Sequence, residues 1–383
     1  MKNIVCIIWL VCCLCITGCW DKVELESRGF VVSLGIDGYE ASEKEQSEQN
    51  NNDEQSRFNI SISLPNVTAI ASPGGGGEEN KTVKSAVGRT VSSAMGKIDS
   101  LSSQKLFYGQ TRVAVLGKDI IEDEQLFREA IDALQRNPEI SKKIIILATD
   151  EKALDILNMK PANEPLTGIY ISNFYENTKD TVLLLDLEKL TERLSYNGCA
   201  IIPRVQLEND ELKVGGAAVV KDLRLTGWLT EEESRSYLWI TGKGKGMHIP
   251  TEQDNAYTTL KVNGSKSKLS FFEENERILC RADISIEGNL EEYHFLQNAL
   301  DDDKREAELS EIEKAYEELI SKEIVNTFNI LQNEYKADGF ELSDKIRKFN
   351  YDIYRKYEKD EILDKIILEA KVTVKIHGTG SVM

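Results

Sequence analysis

Hydrophobic residues in this chain alternate with polar ones in some stretches and recur every three or four positions in others; the change of period predicts the elements. Phe58, Ile60, Ile62 and Leu64 alternate with Asn59, Ser61 and Ser63, the period of a half-buried strand. The run Phe30–Ile36, ended by Asp37-Gly38, predicts an antiparallel neighbour for it. Residues 40–56 between them are almost wholly Glu, Gln, Asn, Asp and Ser, with nothing to bury, and read as a solvated loop. A second polar loop, 72–80, opens with Ser72-Pro73 and four glycines. A helix is expected over Thr82–Ile98 and a strand over Thr111–Leu116.

Further on, Ile120, Leu126, Phe127, Ile131 and Leu134 stand at helical spacings within Asp119–Gln135. Lys143–Ala148 is a compact β run, followed by expected helices over Glu151–Leu157, Leu166–Asn177 and Leu187–Leu194 and a strand over Ala200–Gln206. Gly216–Val220 and Leu223–Thr226 read as a strand pair. Thr230 is placed to cap a helix, with Glu233 three residues on to close a capping box, and that helix carries Leu238, Trp239 and Ile240 inward. Ala282, Ile284 and Ile286 alternate with Asp283, Ser285 and Glu287 in a further strand. The longest helix is expected over Asp303–Lys336, where Leu309, Ile312, Tyr316, Leu319, Ile320, Ile324, Phe328, Leu331 and Tyr335 form one apolar stripe. Leu368, Ala370, Val372, Val374 and Ile376 make a closing strand.

Runs of strand around long helices predict an α+β fold with mixed or antiparallel sheets, the last part packing its long helix on a sheet. The expected division is 19–118, an N-terminal α+β domain; 119–211, a helix-rich middle domain; and 212–383, a C-terminal α+β domain. The length of 383 residues accommodates three such cores.

The first eighteen residues stand apart. Lys2 is followed by an apolar run from Ile4 to Ile16, too short to span a bilayer as a helix and arranged like a secretory signal. Ile16-Thr17-Gly18-Cys19 then places an aliphatic and two small residues before a cysteine, which resembles a bacterial lipobox. The Cys19 thiol would be the nucleophile that takes a diacylglycerol, and with cleavage before Cys19 the two acyl chains would give a strong membrane anchor. Four of the seven cysteines would leave with the signal; Cys199 and Cys280 remain, and are expected as two buried thiols rather than a disulfide.

Charge changes the picture in one respect. With 47 Lys and Arg against 65 Asp and Glu the net charge is −18, so nucleic acid and other polyanions are poor partners, and charge alone gives no drive toward an anionic membrane. The search for chemistry returns little. The three histidines, His248, His294 and His377, form no metal motif, and no serine elbow or phosphate loop is present. Glu291, Glu292 and His294 are read as a solvated turn after Gly288-Asn289-Leu290. Gly242-Lys243-Gly244-Lys245-Gly246 is read as a hairpin or bulge, with an anion-holding nest as the alternative. Trp228 and Trp239 could frame a ligand pocket, although two core anchors is the expected role. Neither metal, cofactor nor catalysis is expected.

Together these segments resemble the Ger(x)C family, lipoprotein subunits of spore nutrient germinant receptors. The resemblance is carried by Cys19-Trp20-Asp21 with Glu24-Leu25, by Gly35-Ile36-Asp37, by Lys105–Gly109 leading into Val113–Gly117, and by Asn137-Pro138-Glu139-Ile140. Its densest part is Gly215–Gly246, with Gly227-Trp228-Leu229, Leu238-Trp239 and Thr241-Gly242-Lys243. Gly288-Asn289-Leu290, Ala337-Asp338 and Val372–Gly380 complete it. The resemblance implies three α+β domains, no catalysis, a lipid on Cys19, and assembly with integral-membrane A and B type receptor subunits in the inner spore membrane. Trp20, Asp21, Gly227, Trp228, Trp239, Gly242 and Lys243 are the candidate signature or interaction residues. It leaves germinant binding by this subunit undecided. A solute-binding lipoprotein is the second reading and a cell-wall hydrolase the third.

Overall fold

The computed structural model describes residues 28–39, 56–66, 81–161, 164, 166–178, 180–253, 256–293, 302–359 and 361–378. The lipobox, Trp20, Asp21, His294 and most of both polar loops lie outside them. In chain order the strands and helices are β1 (Arg28–Phe30), β2 (Ser33–Gly38), β3 (Phe58–Pro65), β4 (Lys81–Gly88), α1 (Val91–Ser100), β5 (Lys105–Phe107), β6 (Val113–Leu116), α2 (Lys118–Glu122) and α3 (Glu124–Arg136). Next come β7 (Ile145–Ala148), α4 (Ala153–Asn158), α5 (Thr167–Thr178), α6 (Leu187–Asn197), β8 (Cys199–Glu208), β9 (Glu211–Lys221), β10 (Arg224–Leu229) and α7 (Glu231–Thr241). Last are β11 (His248–Gln253), β12 (Ala256–Glu274), β13 (Arg277–Tyr293), α8 (Asp302–Asn329), α9 (Leu342–Phe349) and β14 (Ile366–Gly378).

The fold is α+β, with two principal sheets. The larger has the order β10-β9-β8-β7-β6-β2-β3-β4; β2, β6, β7 and β8 run parallel at its centre, and antiparallel strands flank them. The expected antiparallel pairing of the first two runs holds, with Leu34 opposite Ile62 and Ile36 opposite Ile60. This one sheet crosses both sequence boundaries, at 118/119 and at 211/212.

Helices cover both faces. Leu34, Ile36, Ile60 and Ile62 pack with α1, α3 and α6 on one side, and Val113, Val115 and Leu147 pack with α4 and α5 on the other. At β8 and β9 alternate residues feed different cores. Ala200, Ile202, Ala218 and Val220 face the α1–α3 side, whereas Cys199, Ile201, Ala217 and Val219 enter the core of the smaller sheet. A pleated strand offers both faces by its period of two, so the C-terminal unit is joined to the large sheet through shared strands.

The smaller sheet has the order β11-β12-β13-β14, antiparallel except for the parallel pair β13/β14. Helix α8 buries Ile312, Tyr316, Ile320, Ile324 and Phe328 against it. A second row of α8, spaced by four residues, runs along the free edge of β14. The Val374 and Ile376 amides donate to Glu317 and Glu313 at 3.0 and 2.8 Å, and the Ser321 hydroxyl donates to the Ala370 carbonyl at 2.7 Å. Edge groups that would template another strand are thereby occupied.

Several expectations shift. The helix expected over Thr82–Ile98 is half strand: Lys81–Gly88 pairs with β3, and only after Thr90, which caps with Ser93 in a reciprocal box, does α1 begin. Tertiary pairing overrides local propensity there. The Asp119–Gln135 helix breaks at Asp123, whose carboxylate accepts the Leu126 amide at 2.8 Å and starts α3. The long helix leaves α geometry after Asn329 and closes in a π turn, Ile330–Glu334. Glu291 and Glu292, expected in a solvated turn, instead continue β13 beyond Gly288-Asn289-Leu290, because the register with β12 runs past a bulge to Tyr293.

Candidate functional site

The two units meet where α6 of the large sheet packs beside α7 and α9. Asp186 starts α6 by accepting the Lys189 amide at 2.8 Å, and α6 ends at Gly198 in the left-handed region. That helix presents Arg193 to the junction. Its guanidinium pairs with Glu341 at 2.8 Å, donates to the Tyr237 hydroxyl and lies 5.1 Å from the centroid of the Tyr237 ring. The Tyr237 hydroxyl in turn donates to Glu341 at 2.9 Å. Burial, the largest cause, pushes the Tyr237 phenol well above its ordinary range, so it stays a donor. Glu341 itself stands in the left-handed region, φ 57°, which aims its side chain back at Arg193. Beside it, burial lowers the Lys345 ammonium while Glu341 and Asp338 oppose that shift.

Helix α7 holds the other side. Thr230 and Glu233 close the expected capping box, through the Glu233 amide donating to Thr230 at 3.2 Å and the Thr230 amide donating to Glu233 at 2.8 Å. Arg235 then grips Glu323 of α8 with two bonds of 3.1 and 3.0 Å. Burial raises the Glu323 carboxyl and the arginine partly restores it. Two clefts flank this joint. The larger, about 700 Å³, lies between Val182-Leu183, the β8–β9 turn and the start of α7. The smaller, about 430 Å³, lies between α6, α7 and α9 and takes Lys243 into its lining. The joint is a rigid ion-pair link whose polar groups bond one another, with cleft space on each side for a small group or a partner's side chains.

The signature residues are placed by packing. Gly227 sits under the Tyr335 ring, which a Cβ would penetrate, and the Tyr335 hydroxyl donates to the Trp228 carbonyl at 3.2 Å. The π turn delivers Tyr335 there, so the end of α8 is clamped on the edge strand β10. Trp228 carries the Arg204 guanidinium 4.9 Å above its ring, and Arg204 pairs with Asp150. Trp239 is wholly buried in the core of the smaller sheet, whereas Trp228 packs against the α1–α3 core. The two indoles therefore do not frame a common pocket. Gly242 ends α7 in the left-handed conformation, φ 64°, with the Lys243 amide donating back to the Leu238 carbonyl at 2.9 Å. The Gly242–Gly246 knot is thus a helix C-cap and connector to β11 rather than a hairpin or bulge. Cys19, Trp20 and Asp21 fall outside the described residues.

Cys199 and Cys280 are free and buried, with both thiols pushed up by burial, Cys280 to about 12. Glu291 stands on β13 and pairs with His248 at 2.9 Å and Lys261 at 2.8 Å. Among the described residues no cluster of three metal-ligating side chains occurs, and no helix is long and apolar enough to cross a membrane.

Two aspartates that carry the resemblance prove structural. The Asp37 carboxylate is buried and accepts the Ala153 and Leu154 amides at 2.6 and 3.0 Å, holding the start of α4 against β2. Desolvation raises its pKa to about 6 against those two bonds, with Asp119 adding to the rise. Asp338 accepts the Leu342 and Ser343 amides at 2.8 and 2.7 Å and starts α9; burial raises it too. Arg193, Glu341 and Tyr335 were not readable, because their partners are far off in sequence.

Comparison with known proteins agrees with this fold over most of the chain. The family described as "Spore germination protein N-terminal domain" matches residues 21–207, and that described as "Spore germination B3/GerAC like, C-terminal" matches 215–380. The chain is 24% identical to Spore germination protein YndF of Bacillus subtilis (strain 168) over 97% of this chain and 96% of that one. It is 23% identical to Spore germination protein B3 of the same organism, over 96% of each. The crystal structure of the GerBC protein superposes with a TM-score of 0.59 at 18% identity, covering 90% of this chain and 97% of that chain, and so shares the fold. The chain belongs to the GerAC-like spore germination protein family.

Proposed function

We propose that this chain is the lipid-anchored subunit of a spore nutrient germinant receptor. In this reading diacylglycerol on Cys19 holds it to the exported face of the inner spore membrane. It acts there by contact with integral-membrane subunits of A and B type and performs no chemistry. The observation that supports it is that the first family match begins at residue 21, just after the lipobox, and the second runs from residue 215 to residue 380. The interdomain joint supports it as well: its charged groups are bound to one another, as in a scaffold that presents a fixed surface.

The test has two parts. Metabolic labelling with a radioactive fatty acid is expected to mark the chain and to be lost in Cys19→Ala, with that variant released from salt-washed membranes and nutrient germination impaired. Crosslinking in dormant spores is expected to recover the A and B type subunits. Unlabelled wild-type chain, or a Cys19→Ala spore that germinates normally, would refute the anchor; recovery of neither subunit would refute the assembly.

A further inference from the structure

The exposed aromatic residues are unevenly distributed. Phe349 and Tyr351, at 77% and 61% exposure, follow one another at the end of α9, and Tyr196 at the end of α6 is 54% exposed beside them. Tyr351 stacks on Tyr354 with centroids 6.1 Å apart, and the Arg347 guanidinium lies 5.5 Å from the Tyr196 ring. The remaining large apolar side chains that are exposed among the described residues, such as Leu101 and Tyr257, lie on other elements. Arg347, Lys348, Arg355 and Lys356 surround the aromatics and are all substantially exposed. A single, largely covered carboxylate, Asp344, serves both Arg347 and Lys348 at 2.6 Å. Glu273 pairs with Lys356 and Asp352 with Arg355 at 3.2 Å, while Glu192 beside Lys348 and Glu358 beyond Lys356 are further exposed acids, so the cations are set among the aromatics without outnumbering the acids around them. A protein with net charge −18 thus gathers aromatics and cations on one surface.

Topology says which way that surface faces. The register of the large sheet sets Ser33, Val113 and Ile145 level, and β8 runs parallel to β7 with Ala148 opposite Arg204. The start of β8, and with it the end of α6, therefore lies at the same rim as the start of β2, three strand spacings or about 14 Å away. The chain enters the fold at that rim, at Arg28. Residues 20–27 between it and Cys19 reach at most about 3.3–3.6 Å each, roughly 28 Å in all. A lipid on Cys19 would keep this rim within about 28 Å of the bilayer.

We propose that Phe349, Tyr351 and the cations around them form a membrane-contact surface that settles into the headgroup layer of an anionic bilayer. Its orientation rests on the Cys19 reading, while its binding chemistry does not. Aromatic side chains with one apolar and one wet end sit at that depth, and flanking Lys and Arg meet lipid phosphates. The contact would fix the orientation of a body that the lipid alone leaves free to tumble.

The test uses the mature chain carrying Cys19→Ala, whose three cores lie wholly between Val31 and Val374. It is sedimented with vesicles of phosphatidylglycerol mixed equally with phosphatidylcholine, or of phosphatidylcholine alone. The wild-type surface is expected to bind the anionic vesicles selectively and to release in high salt. Phe349→Ser with Tyr351→Ser, both exposed and harmless to the core, should weaken binding about tenfold. Arg355→Glu should weaken it, and Asp352→Asn should tighten it about fivefold. No binding to anionic vesicles, or binding unchanged in the aromatic double variant, would overturn the proposal. So would an aromatic variant that loses self-association instead, since that would make the surface an interface between copies. Fatty-acid labelling of wild-type Cys19 is read separately, so failure of the anchor and failure of this surface give different results.

Discussion

Asp37 and Asp338 perform one task in two surroundings. Each is buried, each accepts two consecutive amides at the start of a helix, and in each burial raises the carboxyl pKa. Asp338 finds its donors four and five residues on, within its own loop, and the Lys345 ammonium lies near enough to favour its charge. Asp37 finds its donors 116 and 117 residues away across the large sheet, and Asp119 opposes its charge more than Lys152 favours it. A local cap closes when its loop closes. A long-range cap closes only once β2, β6 and β7 stand in register, so Asp37 is tied to assembly of the whole sheet and Asp338 to one turn.

The largest test of that contrast is removal of each acid. Asp37→Ala leaves two amides without an acceptor where water is excluded and should cost about 3 kcal/mol, read from urea unfolding. Asp338→Ala should cost less, about 2 kcal/mol, because its two donors lie in its own short loop, which can shift to offer them another acceptor. Equal losses would break the comparison.

Next in size is a pH effect. Asp37 titrates near 6 in the folded chain against an ordinary value of 3.8, so the folded state holds this proton more tightly than the unfolded state. Its favourable contribution is complete below about pH 4, falls by about 1.4 kcal/mol per pH unit as pH rises toward 6, and is gone above that. Asp37→Asn should remove this slope from the difference between the two stability curves; an unchanged slope would assign it to another group. The smallest expected effect is that of Asp119→Asn, which relieves the like charge and should move the Asp37 transition to lower pH without abolishing it. A move to higher pH would show that Asp119 does not oppose the Asp37 charge.

How much of this could be read beforehand follows the same local and distant division. The alternation of Phe58, Ile60, Ile62 and Leu64 and the Thr230–Glu233 box are written in neighbouring residues, and both appear as expected. Strand β4 escaped because its pairing with β3 decides it, not its own pattern. Trp228 and Trp239 were legible as large aromatics, but not that they belong to different cores, since that division is made by β8 and β9 showing opposite faces to two layers. Tyr335, expected in the apolar stripe of the long helix, does pack against that core, and the π turn also sets its ring on Gly227. The Arg193–Tyr237–Glu341 joint left no sequence signal because each member is ordinary alone.

The row of α8 along β14 sets two rulers side by side. From Glu313 to Glu317 the helix advances about 6.0 Å against two residues of strand, about 6.6 Å, whereas from Glu317 to Ser321 the same advance faces four residues of strand, about 13 Å. Long, flexible glutamates at Glu313 and Glu317 can absorb the difference, whereas the short Ser321 needs close coincidence and stands where the helix meets Ala370 at 2.7 Å. Because the steps are unequal, moving the helix by one turn would not carry this set of three contacts onto another. The edge is therefore closed to a foreign strand, and α8 is held in one axial position along the sheet.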